Sequence, residues 1–267
     1  MDEVGRQQFL LLEKTHWWFE GRRRIFFHVL RQALQGRRGL KILDVGCGVG
    51  GMLGPLREFG EPLGIELDFG MVQTCRTRGF GRTLVASALS LPVRERAFDL
   101  VTFFDCLEHL DDDLGALCRA RDAMRPGALL FISGPAYQFL YANNDRVAHH
   151  KRRYTLGRLR ERVRAAGFEV LHDSYINTLL FPAILPAVLL IKLKERWVPR
   201  DGDATTNLTW PMPPLVHRLL AGIFGFERHL VPRVTLPAGH SLVLLARRPP
   251  GNDTGNPGFR DSTRDHP

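Results

Sequence analysis

Cysteine is scarce: the four in 267 residues (Cys47, Cys75, Cys106, Cys118) include no Cys-x-x-Cys pair. That spacing excludes a zinc site and leaves free thiols of a reducing compartment. A long uninterrupted apolar run is also missing. Leu179 to Leu193 is almost wholly apolar, but Pro182 and Pro186 break it. It falls short of the roughly 20 residues a bilayer-spanning helix needs. The opening Met1-Asp2-Glu3 has no apolar run with a small-residue cleavage site behind it, so no secretory signal is expected and the cytoplasm is the expected compartment. No Gly-x-x-x-x-Gly-Lys-Ser/Thr occurs, which excludes a Walker-type phosphate site. Acids are the minority charge, 28 Asp+Glu against 37 Lys+Arg, for a formal net charge of +9. Such an excess draws a protein toward nucleic acid, acidic lipid or an anionic substrate, unless it reflects only a general preference for arginine. The length suits one α/β domain with an appended cap, and 44% hydrophobic residues suffices for a sizeable core.

What is present is organised around Lys41 to Gly51, Lys-Ile-Leu-Asp-Val-Gly-Cys-Gly-Val-Gly-Gly. Ile42, Leu43 and Val45 read as a short buried strand. It passes into a turn whose glycines, Gly46, Gly48 and Gly50, permit positive φ and keep Cβ atoms out of a ligand's way. Asp44 precedes the first glycine, and Gly64-Ile65-Glu66 closes a second strand. An acid at that strand end is placed to hydrogen-bond both hydroxyls of a ribose.

Further motifs follow in order: Leu91-Pro92, Ala97-Phe98-Asp99-Leu100-Val101, Asp105-Cys106-Leu107-Glu108-His109-Leu110, and Met124-Arg125-Pro126-Gly127-Ala128-Leu129-Leu130. Over roughly Gly39 to Pro135 these make the chain resemble the class I S-adenosylmethionine-dependent methyltransferases. His16-Trp17-Trp18-Phe19 with Arg22-Arg23, and Asp145 followed by His150-Lys151-Arg152-Arg153-Tyr154-Thr155, resemble a bacterial subgroup of methyltransferase type 11/12/23. The resemblance implies a doubly wound, Rossmann-like α/β fold with a seven-stranded, mostly parallel sheet. It also implies S-adenosylmethionine as cofactor, held by Asp44, Gly46, Cys47, Gly48, Gly50, Glu66, Leu67, Ser87, Ala88 and Asp105. Trp17 and Arg22 would add to that set from a leading helix that covers the cofactor, with Arg22 or Arg23 pairing with the methionyl carboxylate. The competing account is that Trp17 and Trp18 simply pin the helices to the core. Two departures stand out. Ser87 occupies the place where the family commonly has an acid for adenine's amine, and Ala128 replaces a second glycine.

Apolar periodicity predicts two helices between Arg6 and Gln35, then strands at Leu40–Val45, Pro62–Glu66, Thr83–Ala86, Asp99–Phe104 and Ala128–Ser133. Helices at Met52–Phe59, Met71–Arg78 and Leu114–Met124 alternate with them. A helix at Leu156–Ala166 precedes strands at Phe168–His172 and Ser241–Ala246, and the family resemblance implies that these two pair as an antiparallel hairpin. The expected units are an N-terminal helical lid (1–38), a cofactor-binding core (39–176), a helical cap inserted at 177–239, the last core strand (240–248) and a disordered tail (249–267).

Methyl transfer to a hydroxyl or protonated amine needs a base. The candidates are His109 beside Glu108, and His150 with Asp145 and Tyr154. His109 would alternatively hold its loop, and Arg152 and Arg153 either meet an anionic substrate or form a solvated face. Asp111 to Asp113 are expected to serve the next helix's N-terminus, and no metal site is expected. The expected reaction is methyl transfer to a small or lipid-like acceptor, with a hydroxyl favoured. A nucleic-acid methyltransferase is one alternative, although the Asn/Asp-Pro-Pro-Tyr/Phe motif that serves a flipped base is missing. A non-catalytic, membrane-associated binder of the cofactor is another. For Leu179 to Leu193 three readings stay open: a cap over an apolar pocket, packing or a dimer contact, or a peripheral foot on the inner membrane face. Monomer and homodimer are equally compatible with the sequence.

Overall fold

The computed structural model describes Leu10, Leu12, Glu13, residues 16–197 and residues 212–250. Seven strands form one sheet: β1 (Leu40–Val45), β2 (Gly60–Glu66), β3 (Thr83–Val85), β4 (Phe98–Phe104), β5 (Met124–Pro135), β6 (Glu169–Ile176) and β7 (Ser241–Arg247). Their order is β3-β2-β1-β4-β5-β7-β6, with β7 antiparallel to both neighbours and every other pairing parallel. This is the expected doubly wound, seven-stranded, mostly parallel sheet. The β6–β7 hairpin runs longer than its apolar patterns suggested.

Helices cover both faces: α1 (Trp17–Leu34), α2 (Leu53–Leu56), α3 (Phe69–Thr77), α4 (Asp113–Ala123), α5 (Asn143–Val147), α6 (Leu156–Ala165), α7 (Phe181–Trp197) and α8 (Pro214–Phe226). Successive strand residues point to opposite layers. Leu43, Val101, Phe103, Leu130 and Ile132 pack against α4 and α6 on one side. Ile42, Leu100, Phe104, Phe131 and Val243 pack against α1 and α8 on the other. The second layer is aromatic, with Phe26 stacked on Phe104 at 5.5 Å and edge-on to Phe131 at 5.3 Å.

Two local expectations are corrected. The His16-Trp17-Trp18-Phe19 run, expected between the two leading helices, falls mostly inside α1. Trp17 opens α1, and the His16 ring nitrogen caps it by accepting from Trp18 N at 3.2 Å. The helix expected at Met52–Phe59 shrinks to four residues, because Gly54 and Pro55 lie inside it and both disfavour helix. The chain must also straighten early: a Cβ at Gly60 would lie 2.0 Å from the Leu40 carbonyl oxygen. Of the leading helix expected from Arg6, Leu10, Leu12 and Glu13 are helical. The expected disordered tail from 251 onward lies outside the described residues.

The 177–239 insertion supplies α7 and α8. α8 docks on α1, where Phe224 is fully buried and sits so close to Gly21 that a Cβ there would meet its ring at 2.4 Å. The buried Glu227 accepts from Leu179 N at 2.8 Å and so ties the two ends of the insertion together. α7 passes over the segment after β5: Phe181 stacks on Tyr137 at 6.0 Å, and Glu195 accepts from Asn143 N and pairs with Arg146 at 2.8 Å. Truncating Phe224 to Ala should cost about 3–5 kcal/mol. At roughly 2–4 °C per kcal/mol for a chain of this size, a calorimetric scan should show that as a lowered midpoint.

Candidate active site

Parallel strands leave their carboxyl ends as the open edge, and the chain places its chemistry there. After β1, Gly46 N and Cys47 N both donate to the Ile65 carbonyl, at 2.8 and 3.0 Å, which fastens the glycine loop to the end of β2. Gly46 has φ +73 and lies against Cys106, where a Cβ would meet the sulfur at 2.3 Å. Gly48 is half-buried with φ +55, and a Cβ there would meet nothing within 4 Å, so open space lies on that side of its backbone. Glu66 accepts from Gly48 N at 3.0 Å, Leu67 N at 2.7 Å and Asp68 N at 3.0 Å. The carboxylate is thereby aimed across the loop with lone pairs to spare. Beside it Leu67 is 71% exposed, an apolar side chain standing uncovered at the rim of a polar cradle.

The other expected cofactor residues divide. Asp44 is buried beneath the loop and accepts from Thr102 Oγ1 at 2.8 Å, so it braces β1 against β4. Burial pushes its carboxyl up to about 7, with Thr102 opposing and Glu66 adding to the rise. Cys47 and Ala88 are buried, and Ser87 Oγ accepts from Leu89 N at 3.1 Å within its own turn. Asp105, with φ +50, ends β4, and its N–H donates to Ser133 Oγ at 3.1 Å. Its carboxylate takes the Arg22 guanidinium, which stacks over Trp18 at 4.1 Å and Phe19 at 4.5 Å. Arg22 Nε has no hydrogen-bond partner. Trp17 does not join this group: its ring meets Phe224 between α1 and α8, and its backbone N–H donates to His217 Nδ1. Trp18 is the aromatic residue at the site.

Sequence reasoning missed Glu13, whose buried carboxylate lies over the glycine loop, close enough that a Cβ on Gly51 would meet it at 1.6 Å. No motif marks it. Its reach depends on how the chain enters α1.

Beyond Asp105 lies a second cluster. Glu108 is fully buried with neither carboxylate oxygen hydrogen-bonded, and burial drives its acid well above the ordinary range. The His109 and His150 rings meet edge-on at 4.8 Å, and His150 Nε2 stands 4.0 Å from Glu108. Burial, then the neighbouring His150, lower His109 to about 4. Ligand atoms of these three residues lie within 4.8 Å of one another, the one such group among the described residues able to hold a cation. The other face of His150 is anchored: Nδ1 lies 2.8 Å from Asp145 Oδ1. Asp145 also receives a two-pronged pair from the buried Arg153, at 2.8 and 2.9 Å, and the N–H of Ala142. Burial alone would raise Asp145, but the hydrogen bonds from His150 and Arg153 hold it at about 2.

Tyr154 does not belong to the His150 set. Its hydroxyl donates to Asp113 at 2.8 Å within a fully enclosed pocket, because the bridge between Ala136 and Tyr154 turns the ring inward. Arg152 is drawn to Asp113 at 3.3 Å and to the Asp111 carbonyl, so neither it nor Arg153 is left for an anionic substrate. Asp112 caps α4 through Gly115 N at 2.7 Å, as expected for that acidic run.

The chain matches a family described as a methyltransferase domain over residues 18–173, more than half its length. A ubiquinone biosynthesis O-methyltransferase of Alkalilimnicola ehrlichii is 33% identical over 110 residues, covering 38% of this chain and 44% of the relative. The chain spans about half or less of the length of the curated relatives of this kind. Among solved structures, a methyltransferase of Thermotoga maritima, described as a possible histamine N-methyltransferase, aligns with TM-score 0.55 at 15% identity over 91% of this chain and 94% of that one. A phosphoethanolamine N-methyltransferase of Haemonchus contortus, in complex with S-adenosyl-L-methionine, aligns with TM-score 0.53 at 19% identity over 84% of this chain and 51% of that one. At these identities the two structures show a shared fold.

The raised Asp44 carboxyl carries a pH signature. A buried acid whose folded pKa exceeds its unfolded value contributes stability below the unfolded value of about 3.9, and loses it as pH climbs through the folded value. The ligand-free protein should therefore lose stability from about pH 4 toward pH 7. Asp44→Asn, which can still accept from Thr102, should flatten that slope in denaturant titrations. An unchanged slope would contradict the placement.

Proposed function

Because this chain belongs to the class I S-adenosylmethionine-dependent methyltransferases, we propose that it transfers a methyl group to a hydroxyl of a small or lipid-like acceptor, with His150 as the base. The observation that carries the reading is the chain Arg153–Asp145–His150. Two charge-assisted bonds fix Asp145, Asp145 fixes Nδ1, and Nε2 is left turned toward Glu108 at the open edge of β4 and β5. This is the arrangement that sets a histidine's tautomer and leaves the other ring nitrogen to take a proton. The O-methyl transfer named in the curated relative supports oxygen as the acceptor atom.

The cradle fits the cofactor. The open backbone at Gly48 and the carboxylate of Glu66 suit the ribose, and the uncovered Leu67 offers an apolar face for the base. Arg22, with Nε unpartnered and Glu13 nearby, is the cation available to the amino-acid carboxylate. Bound there, S-adenosylmethionine supplies an electrophilic methyl on a sulfonium that leaves as a neutral thioether. The protein's share is alignment, exclusion of water and removal of one proton. Well-oriented partners account for roughly 7–11 kcal/mol of a barrier. His150 Nε2 would take the proton of the acceptor's hydroxyl, and the Asp145 carboxylate would stabilise the resulting imidazolium. α7, lying over residues 137–147, closes the acceptor side.

The test is turnover with radiolabelled donor against a panel of catechol, quinol and sugar hydroxyl acceptors. His150→Gln should lower turnover by about 10²–10⁴-fold while leaving affinity for S-adenosylhomocysteine unchanged. Equal turnover in wild type and variant would remove His150 from the chemistry.

A further inference from the structure

We propose that the outward faces of α7 and α8 form a docking surface for an anionic lipid bilayer. Between Phe181 and Glu195 no residue of α7 is buried, although the helix is apolar over most of its length. Its inner side is held by polar contacts to the segment after β5, including Lys192 Nζ to the Phe139 carbonyl. Its outer side presents Leu189, Leu190 at 66% exposure, and Leu193. α8 is divided the same way. Ala221, Phe224 and Gly225 face α1, while Leu215 at 77% exposure, Leu219 and Phe226 face outward. Leu179, just before α7, joins Arg218, Leu219, Ile223 and Phe226 in an open groove beside α8. Contiguous apolar surface of this kind marks an interaction site.

Charge selects the occupant. Lys194 and Arg218 are exposed on this face, whereas its acids are withdrawn, Glu195 onto Arg146 and Glu227 into the interior. Across 177–239 the sequence carries seven Lys/Arg against four Asp/Glu. Apolar side chains with a basic border and, among the described residues, no free acid suit the boundary between acyl chains and anionic headgroups. A second copy of the same face would bring like charges together. The helix lies in the surface and does not cross it: 17 residues reach about 25 Å, and no helix among the described residues is long and apolar enough to span a bilayer.

Flotation of the full chain with vesicles of mixed phosphatidylglycerol and phosphatidylcholine, beside pure phosphatidylcholine vesicles, tests this. The protein should float with the anionic vesicles, less so at high salt. The double substitution Leu190→Glu with Leu219→Glu should abolish flotation while preserving the thermal midpoint and S-adenosylhomocysteine binding. Failure of the folded wild type to float, flotation of the double variant, or a dimer in sedimentation that this variant disperses would each overturn the proposal. Flotation and nucleoside binding are read separately, so failure of the methyl-transfer reading leaves this result standing, and the reverse.

Discussion

The reversal of strand order between β1 and β4 is the constraint on which the rest depends. From β1 the chain winds outward to β2 and β3, then crosses back to β4 and winds the other way. Right-handed crossovers send the two sets of helices apart, and the carboxyl ends of β1 and β4 are left as an unroofed crevice. The glycine loop rises from one lip and Asp105 from the other. Their spacing is held from below by Thr102 and Asp44, a side-chain hydrogen bond across the β1–β4 seam. α1 then roofs the crevice by delivering Arg22 to Asp105.

That geometry concentrates buried charge. Arg22, Glu13, Glu108, Asp145 and Arg153 are buried along one edge of the sheet beside the half-buried Asp105, and only some are fully satisfied. A buried carboxylate without a partner costs stability unless it takes up a proton, which is the state burial drives Glu108 toward. The satisfied half of the edge is different. Arg153 and Asp145 form two parallel charge-assisted bonds, and the rigidity this imposes passes directly to the His150 ring. One half of the edge is locked while the other holds unmet polar groups, a division expected of a site that completes itself around a ligand.

Much of this was legible in the residues. Leu43, Val45, Val101 and Phe103 alternate with Ile42, Leu100 and Phe104, so the strands and their two-sided burial follow from period and composition. The glycine loop, Glu66 and the Asp105 to His109 run were recognisable as motifs because backbone geometry demands those residue types at those places. What stayed hidden depends on long-range packing. Nothing local distinguishes Trp18, stacked on Arg22, from Trp17, wedged against Phe224, since neighbouring positions on one helix part only once α8 has docked. Tyr154 likewise shares a motif with His150 but faces the opposite way, because pairing with Ala136 fixes its side. Glu13 carries no signature at all. Helix ends fell a few residues from their expected places wherever glycine and proline acted inside the pattern, as at Gly54 and Pro55.

The most direct test of the account is calorimetric titration of S-adenosylhomocysteine into the purified protein and into Glu66→Ala. Binding in the micromolar range, about −8 kcal/mol, that is lost in the variant would place the nucleoside across the glycine loop and Glu66 as described. A folded wild-type protein that gives no heat and no thermal shift, or a variant that binds as tightly as wild type, would contradict it.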